Sequence, residues 1–123
     1  AESAAGDTEY RGFYAKNNHG TLTLVDARIY ISSNTTSPDS TFAIALADEA
    51  VSTTIETIAN ESTAPVGPSF SAPADYASGL QLNSGTGLAA AAYKGVWIRR
   101  VITAGAAAVT GDSGTIKVEG ETS

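Results

Sequence analysis

The sequence predicts an all-β protein, a single antiparallel sandwich of immunoglobulin-like type that follows a flexible N-terminal arm. Short runs rich in β-branched and aromatic residues alternate with turns rich in glycine, asparagine and proline. No amphipathic helical period is present, and 123 residues suffice to bury one core. We therefore expect residues 1–7 to form the arm and residues 8–123 to form the sandwich.

Composition narrows the classes of function. Seven basic residues stand against thirteen acidic ones, and the resulting net charge of -6 disfavours binding to nucleic acid. The chain contains no cysteine, so neither a disulfide nor a thiolate metal site can form. No apolar run approaches the length of a membrane-spanning helix. We therefore expect neither nucleic acid nor a membrane as a partner.

The first two strands are predicted on either side of a turn. The predicted strand Thr8–Lys16 carries aromatic residues on both of its faces, so the alternation of residues does not show which face points inward. Asn17–Gly20 favours a tight hairpin, because asparagine and glycine tolerate a positive φ. The second strand, Thr21–Ser32, changes the phase of its apolar residues near Val25–Asp26. A slip of one residue is typical of a β-bulge, which we expect there.

The middle of the chain predicts shorter strands. A polar loop over Ser32–Ser40 precedes a cleanly alternating strand at Thr41–Ala47. The threonines of Val51–Ala59 disfavour a helix, so a strand is the interpretation adopted there. Three prolines over Asn60–Pro73 allow at most a short edge strand at Val66–Ala72.

The last third of the chain contains the strand expected at the centre of the fold. Ala77–Leu82 predicts a short strand, and Leu88–Ala92 fits either one helical turn or a closely packed small-residue segment. Tyr93–Thr103 carries the densest β-branched run and is therefore expected to be a central strand. After a bend at Ala104–Ala108, Thr115–Glu119 alternates cleanly enough to close the sheet.

The only tryptophan, Trp97, lies in this central strand and is expected in the middle of a small core, because one indole buries a large apolar area. Alternation places Arg99 on the same face and Arg100 on the opposite face. Each arginine either contacts a neighbouring subunit or covers apolar surface beside an intramolecular partner. The carboxylates considered as such partners are Asp26, Glu56 and Glu119. The predicted core consists of Trp97, Phe42, Ile44, Leu46, Ile29, Ile31, Ile116 and Val118.

Reactive chemistry is sparse in this sequence. The only histidine, His19, falls in the predicted turn and is interpreted as a solvated turn residue. Asp48 and Glu49 end a predicted strand and could form a calcium site with Asp39 or Asp75, although the spacing of a calcium-binding loop is not present. We therefore predict no catalytic residue, no cofactor and no metal, and a protein that is not an enzyme.

Several stretches together resemble a module found in structural proteins of tailed bacteriophages. They are Tyr10–Asn17, Leu22–Ile31, Ile58–Pro65, Phe70–Pro73 and Val96–Arg100. The first strand is also similar to the opening strand of immunoglobulin-like adhesion modules. The resemblance covers nearly the whole chain, from Asp7 to Thr122, and implies a part of a virion in the capsid, neck or tail. It supplies no catalytic residue to carry over.

The resemblance implies a non-enzymatic virion protein, and we expect a decoration or cement protein on the capsid. The expected partners are the major capsid or tail proteins and further copies of this chain, bound through sheet edges and the arm. A small polar arm can add a strand to the sheet edge of a neighbour. The predicted interface residues are Ala1, Glu2, Ser3, Ala4, Ala5, Gly6, Arg99 and Arg100. The alanine-rich stretches Leu88–Ala92 and Ala104–Ala108 are further interface expectations, because small side chains let surfaces approach closely.

Two alternatives to the decoration role stay open. The first is an accessory position on the tail, neck or fibre. The second is a sandwich that binds carbohydrate or a cell surface by stacking exposed tyrosines on sugars. The tyrosines are Tyr10, Tyr14, Tyr30, Tyr76 and Tyr93, which lie on separate elements and make no obvious platform. A hydrolase is less favoured, because carboxylates are the only plausible bases.

Overall fold

The computed structural model describes residues 7–34, 40–83, 87–102 and 114–122. Its strands are β1 Asp7–Lys16, β2 Leu24–Ser33, β3 Ser40–Leu46, β4 Leu80–Gln81, β5 Tyr93–Ile102 and β6 Thr115–Thr122. Sheet I has the order β1-β5-β3 and sheet II the order β4-β2-β6, with every pairing antiparallel. The two sheets pack on one another, which confirms the predicted antiparallel β-sandwich. The described ranges contain no helix of the length and apolarity needed to cross a bilayer.

The bounds of the long strands follow local chemistry. β1 and β5 agree with the predicted bounds to within one residue. β2 begins at Leu24 rather than at Thr21, because the Nδ1 of His19 accepts hydrogen bonds from the backbone N–H groups of Thr21 and Leu22 at 3.1 and 3.0 Å. These bonds hold the residues before Leu24 in the turn. His19 itself is exposed and lies in that turn.

The bulge predicted in β2 is present. The register with β6 shifts between Val25 and Arg28, and Asp26 adopts a positive φ of 51°. Aspartate tolerates this conformation better than most residues do. Its carboxylate accepts a hydrogen bond from the Nε2 of Gln81 at 2.7 Å, and the hydroxyl of Tyr76 donates to its backbone carbonyl at 2.8 Å. The extra residue of the bulge is therefore fixed by side chains from the segment that precedes and includes β4.

Consecutive strands lie in opposite sheets. The odd-numbered strands form sheet I and the even-numbered strands form sheet II, so every connection between the six described strands crosses the sandwich. The hairpin predicted at Asn17–Gly20 is therefore wrong, since this turn joins the two sheets. The Nδ2 of Asn17 donates to the carbonyls of Leu22 and Leu88, both at 2.9 Å, and its Oδ1 accepts from the N–H of His19 at 3.0 Å. One amide side chain thus holds the crossing in place.

The core between the sheets is built from alternate residues of the facing strands. Its buried members are Ala15, Ala27, Ile29, Ile31, Ile44, Leu82, Leu88, Ala92 and Val96. Three of the predicted core residues belong to this cluster, namely Ile29, Ile31 and Ile44. Three more pack against it half-buried, namely Phe42, Leu46 and Ile116.

Two expectations about buried and exposed residues are corrected by the structure. Val118 lies on the same, inward face of β6 as Ile116, but its side chain is 40% exposed because β6 is at the edge of sheet II. The segment Leu88–Ala92, expected at an interface, closes the core of the same chain. Leu88 is buried and forms an antiparallel bridge with Leu24, and Ala92 is also buried.

The outer face of sheet I is covered by residues 51–71, which we call the strap. The strand predicted at Val51–Ala59 is wrong, because these residues form turns and irregular chain. The short edge strand allowed at Val66–Ala72 is reduced to a single antiparallel bridge from Ser71 to β3. The strap therefore covers the sheet without extending it by a full strand.

Two hydrogen bonds that involve the backbone of the strap join it to β1. The N–H of Tyr10 donates to the carbonyl of Glu61 at 2.6 Å, and the N–H of Ile55 donates to the hydroxyl of Tyr14 at 3.1 Å. The alanines of β3 that face the same side are buried as well. Sheet I is consequently covered on both faces, by sheet II and by the strap.

Candidate functional site

The outer face of sheet I carries the same aromatic-glycine-aromatic pattern on two neighbouring strands. The residues are Tyr10, Gly12 and Tyr14 on β1, and Tyr93, Gly95 and Trp97 on β5. The antiparallel register places Gly12 directly opposite Trp97 and Gly95 directly opposite Tyr14. A β-carbon on Gly12 would lie 3.2 Å from the Cζ3 of Trp97, so the indole covers this glycine. Such aromatic cover compensates for the side chain that a glycine lacks in a strand.

Ile55 of the strap covers Gly95, which is buried, and also lies next to Gly12, which remains exposed. A β-carbon on Gly95 would overlap the Cγ2 of Ile55, and one on Gly12 would lie 2.9 Å from its Cδ1. Trp97 is 3% exposed, in agreement with the prediction that it is buried. It is covered by the strap, however, and does not belong to the cluster between the sheets. The protein therefore has a second, smaller core on the outer face of sheet I.

Arg99 lies on this outer face, as alternation predicts. Its guanidinium carbon is 5.1 Å from the ring centroid of Phe70 in the strap, and the same ring makes an edge-to-face contact with Tyr10 at 5.6 Å. Arginine over an aromatic face is a favourable cation–π arrangement. This is the intramolecular packing considered for Arg99, and its contact with a neighbouring subunit stays a prediction.

Arg100 points to the other face and lines a cavity of about 400 Å³ between the sheets, together with Phe42 and Ile116. Glu9 of β1 lies directly opposite Arg100 in the register. The three carboxylates considered as arginine partners bond elsewhere. Asp26 pairs with Arg28, Glu56 accepts from the N–H of Val66, and Glu119 bonds to Tyr30 and Lys117. The prediction that one of these carboxylates pairs with Arg99 or Arg100 is wrong, because the strand register, rather than charge, determines which residues are neighbours.

A cleft of about 660 Å³ separates the strap from β1, and we call it the aromatic cleft. Its aromatic wall and floor are Tyr10, Tyr14 and Trp97. The polar side chains on the strap side are Thr54, Glu56, Thr57, Asn60 and Glu61. Tyr93, which is distant in sequence, joins Tyr10 and Tyr14 of β1 on this face and contacts Tyr14 edge to face at 5.1 Å. The repeated aromatic-glycine-aromatic pattern is the sequence signal for this face.

The rim of the aromatic cleft is acidic. The carboxylate of Glu61 pairs with the guanidinium of Arg11 at 3.3 Å, in an exposed salt bridge. Glu56 adds a second carboxylate, one oxygen of which accepts from the N–H of Val66 at 2.8 Å. The rim therefore carries two negative charges against one positive charge, and it disfavours anions.

The free edge of sheet II is the second open feature. β6 pairs with β2 on one side, and within the described ranges no strand pairs with its other side. Val118 is half-exposed beside this edge. The outer edge of β1 differs, because the strap bonds to it at Tyr10. β6 is therefore the longer stretch of unpaired backbone edge in the part of the sandwich that the structure describes.

Acidic residues and His19 do not gather into a metal site. Within the described ranges no three histidine, aspartate or glutamate side chains lie close enough to hold an ion. Asp48 packs against the backbone of Gly67. Asp75 accepts from the N–H and the hydroxyl of Ser78 at 2.9 and 2.7 Å, which lowers the pKa of Asp75 below its usual value. Asp39 lies outside the described residues, as do the predicted interface stretches Ala1–Gly6 and Ala104–Ala108.

Comparison of this chain with models of protein families, with curated proteins and with solved structures finds no match. The described residues form a two-sheet antiparallel β-sandwich, in which β6 has a free edge and an aromatic cleft lies between the strap and β1.

Proposed function

We propose that this protein is a non-enzymatic structural component of a tailed-bacteriophage virion, a decoration protein that attaches to the capsid through its sheet edge and its N-terminal arm. The observation that carries the proposal is the free edge of β6. An edge strand presents a row of N–H and C=O groups that can pair with another chain. The resemblance of the sequence to virion modules supports the same setting.

The β6 edge combines unpaired backbone groups in the described part of the sandwich with one exposed apolar side chain. Its eight residues include Val118, an exposed apolar side chain, beside the salt bridge of Lys117 with Glu119 at 3.5 Å. Strand addition derives affinity from main-chain hydrogen bonds and needs no preformed pocket. Repetition over many copies on one particle would strengthen a weak single contact. Residues 1–6, which directly precede β1, are the second proposed attachment.

Cryo-electron microscopy of purified particles from the source tests this role. The expected result is regular density on the capsid, at its local symmetry axes, that fits a β-sandwich of 123 residues. Density confined to the tail or neck would replace decoration by the accessory role. No density on any particle would overturn the virion proposal.

A pair of matched variants tests the attachment edge. Lysine on an edge strand discourages pairing, so Val118→Lys should reduce the number of copies bound per particle by about tenfold or more. Val66→Lys is the control, because Val66 is 81% exposed on the strap. Equal binding of both variants would show that β6 is not the attachment edge. Removal of residues 1–6 tests the arm separately and should weaken attachment while leaving the fold intact.

A further inference from the structure

We propose that the aromatic cleft binds a neutral saccharide chain, as an activity separate from attachment through β6. The cleft has the composition of a ligand site, an apolar aromatic wall with a few polar groups opposite it. The proposed saccharide binding is independent of the virion role, and it can be tested on the isolated protein.

The aromatic wall offers faces on which pyranose rings can stack. The C–H groups of a sugar ring pack favourably on the electron-rich face of an aromatic ring. Tyr14 is 44% exposed. Its ring is held in place by the hydrogen bond from the N–H of Ile55 to its hydroxyl and by the edge-to-face contact with Tyr93. Tyr10 lies four residues away on the same face of β1, roughly 13 Å along the strand. Ile55 packs over Gly12 between these two rings, so the exposed ring of Tyr14 is the face on which a sugar unit would stack.

The strap supplies polar groups that suit sugar hydroxyls. The Oδ1 of Asn60 accepts from the N–H of Ser62 and the hydroxyl of Thr63, both at 3.0 Å, and the Nδ2 group of this exposed residue donates to no other described residue. The hydroxyls of Thr54 and Thr57 line the same cleft. Amide donors and hydroxyl groups opposite an aromatic wall can fix the orientation of a bound sugar.

Trp97 lines the cleft, with its Cζ3 and Cη2 atoms next to Gly12. Trp97 is 3% exposed, and its Nε1–H has no hydrogen-bond partner among the described residues. Buried donors without a partner are uncommon in native proteins, and a ligand or an ordered water can complete such a bond. The unpartnered Nε1–H is thus a further feature of a residue that lines the cleft.

Charge selects a neutral saccharide over an acidic one. Glu56 and Glu61 face a single cation, Arg11, and the whole chain carries a net charge of -6. Sialylated, phosphorylated or sulfated chains would meet repulsion at this rim. A cationic peptide is the competing occupant that the same charge would allow.

The two proposed sites lie on different layers of the molecule. The aromatic cleft is on the outer face of sheet I, whereas β6 belongs to sheet II. Attachment through β6 therefore leaves the cleft uncovered.

Fluorescence titration tests the proposal, because Trp97 is the only tryptophan and lies in the cleft. The probes are cellohexaose, maltohexaose and chitohexaose, with hexalysine as the peptide probe. At least one hexasaccharide should give a saturable change in emission and shift the indole N–H resonance of Trp97. Tyr14→Leu should weaken this binding by about tenfold or more, whereas Val118→Lys should leave it unchanged.

Three results would overturn the proposal. They are no saturable binding of any hexasaccharide, undiminished binding by a folded Tyr14→Leu variant, and tighter binding of hexalysine than of every sugar. If Tyr14→Leu does not fold, the indole N–H resonance of the unmodified protein decides, since a sugar that binds elsewhere leaves it unshifted. Loss of particle attachment by Val118→Lys with intact sugar binding would separate the two functions.

Discussion

Asp26 and Arg28 form an ion pair across the bulge of β2, with the Nε of Arg28 3.1 Å from the Oδ1 of Asp26. Arg28 also donates to the carbonyl of Ala77 at 2.9 Å and lies over the ring of Tyr76, 5.0 Å from its centroid. The hydrogen bonds from Arg28, and then from Gln81, lower the pKa of Asp26 below its ordinary value of 3.8. A single carboxylate thus couples the bulge to the segment around β4.

We expect this carboxylate to make the protein sensitive to acid. A lowered pKa in the folded state means that the ionised group stabilises the fold above pH 3.8, and that this contribution is lost as the pH falls through the lowered pKa. Asp26→Asn should therefore be less stable than the unmodified protein at neutral pH, and its stability should decline less steeply in acid. Urea denaturation across this pH range measures both effects.

The control for the Asp26 prediction is Glu121→Gln, which changes an exposed carboxylate on the same sheet. It should leave the stability at neutral pH nearly unchanged. An acid profile of Asp26→Asn that parallels that of the unmodified protein would contradict the role of the pair.

Tyr30 should ionise late in an alkaline titration. The hydrogen bond that it donates to Glu119, followed by burial, raises the pKa of Tyr30 to about 12. The fold therefore favours the neutral phenol, and this stabilisation is complete below the ordinary pKa of 10.0 and is lost as the pH rises towards 12. The ultraviolet absorbance of tyrosinate should show a late-titrating group that disappears in Tyr30→Phe. Tyr76→Phe is the comparison, because burial also raises the pKa of Tyr76.

Gly95 should tolerate no side chain while Ile55 is present. A β-carbon there overlaps the Cγ2 of Ile55 and lies 3.1 Å from the Cβ of Ala47. Gly95→Ala should lower the free energy of unfolding by about 1–3 kcal/mol, as overpacking typically does. The double variant Gly95→Ala/Ile55→Ala should lose less than the sum of its single changes, which denaturant titration of all three variants would show. Gly20→Ala should be nearly neutral, because nothing lies within 4 Å of its new β-carbon.

Asn17 should matter far more than its neighbour Asn18. Its side chain donates to the carbonyls of Leu22 and Leu88 and accepts from the N–H of His19. Asn17→Ala leaves these groups without their partner and should cost about 1–3 kcal/mol in the free energy of unfolding. Asn18 is exposed, so Asn18→Ala is the matched control. Equal stability of the two variants in denaturant would contradict the bridging role of Asn17.

Local patterns predicted those parts of the fold that local chemistry determines. The alternation of Tyr93–Thr103 predicted β5 and that Trp97 and Arg99 share one face, because successive strand residues point to opposite sides. The phase change near Val25–Asp26 predicted the bulge, since an extra residue leaves that signature in the sequence itself.

The strap and the aromatic cleft depend on contacts between residues distant in sequence. Val51–Ala59 contains the residue types of a strand, but they pack against glycines of β1 and β5 and pair with no neighbouring strand. The meeting of Tyr14 with Tyr93 follows from the antiparallel register, which no local pattern specifies. The side of the sheet that Trp97 faces was undetermined for the same reason.

The crossing of every connection between the sheets has a consequence during synthesis on the ribosome. Among the six described strands, β5 is the one that pairs with both β1 and β3, so sheet I has no central strand until Tyr93–Ile102 has left the exit tunnel. Until then, β1 and β3 have unpaired edges that can associate with other nascent chains. Such non-local pairing also slows folding. A fragment that stops before β5 therefore lacks the strand that joins β1 to β3 and cannot form sheet I.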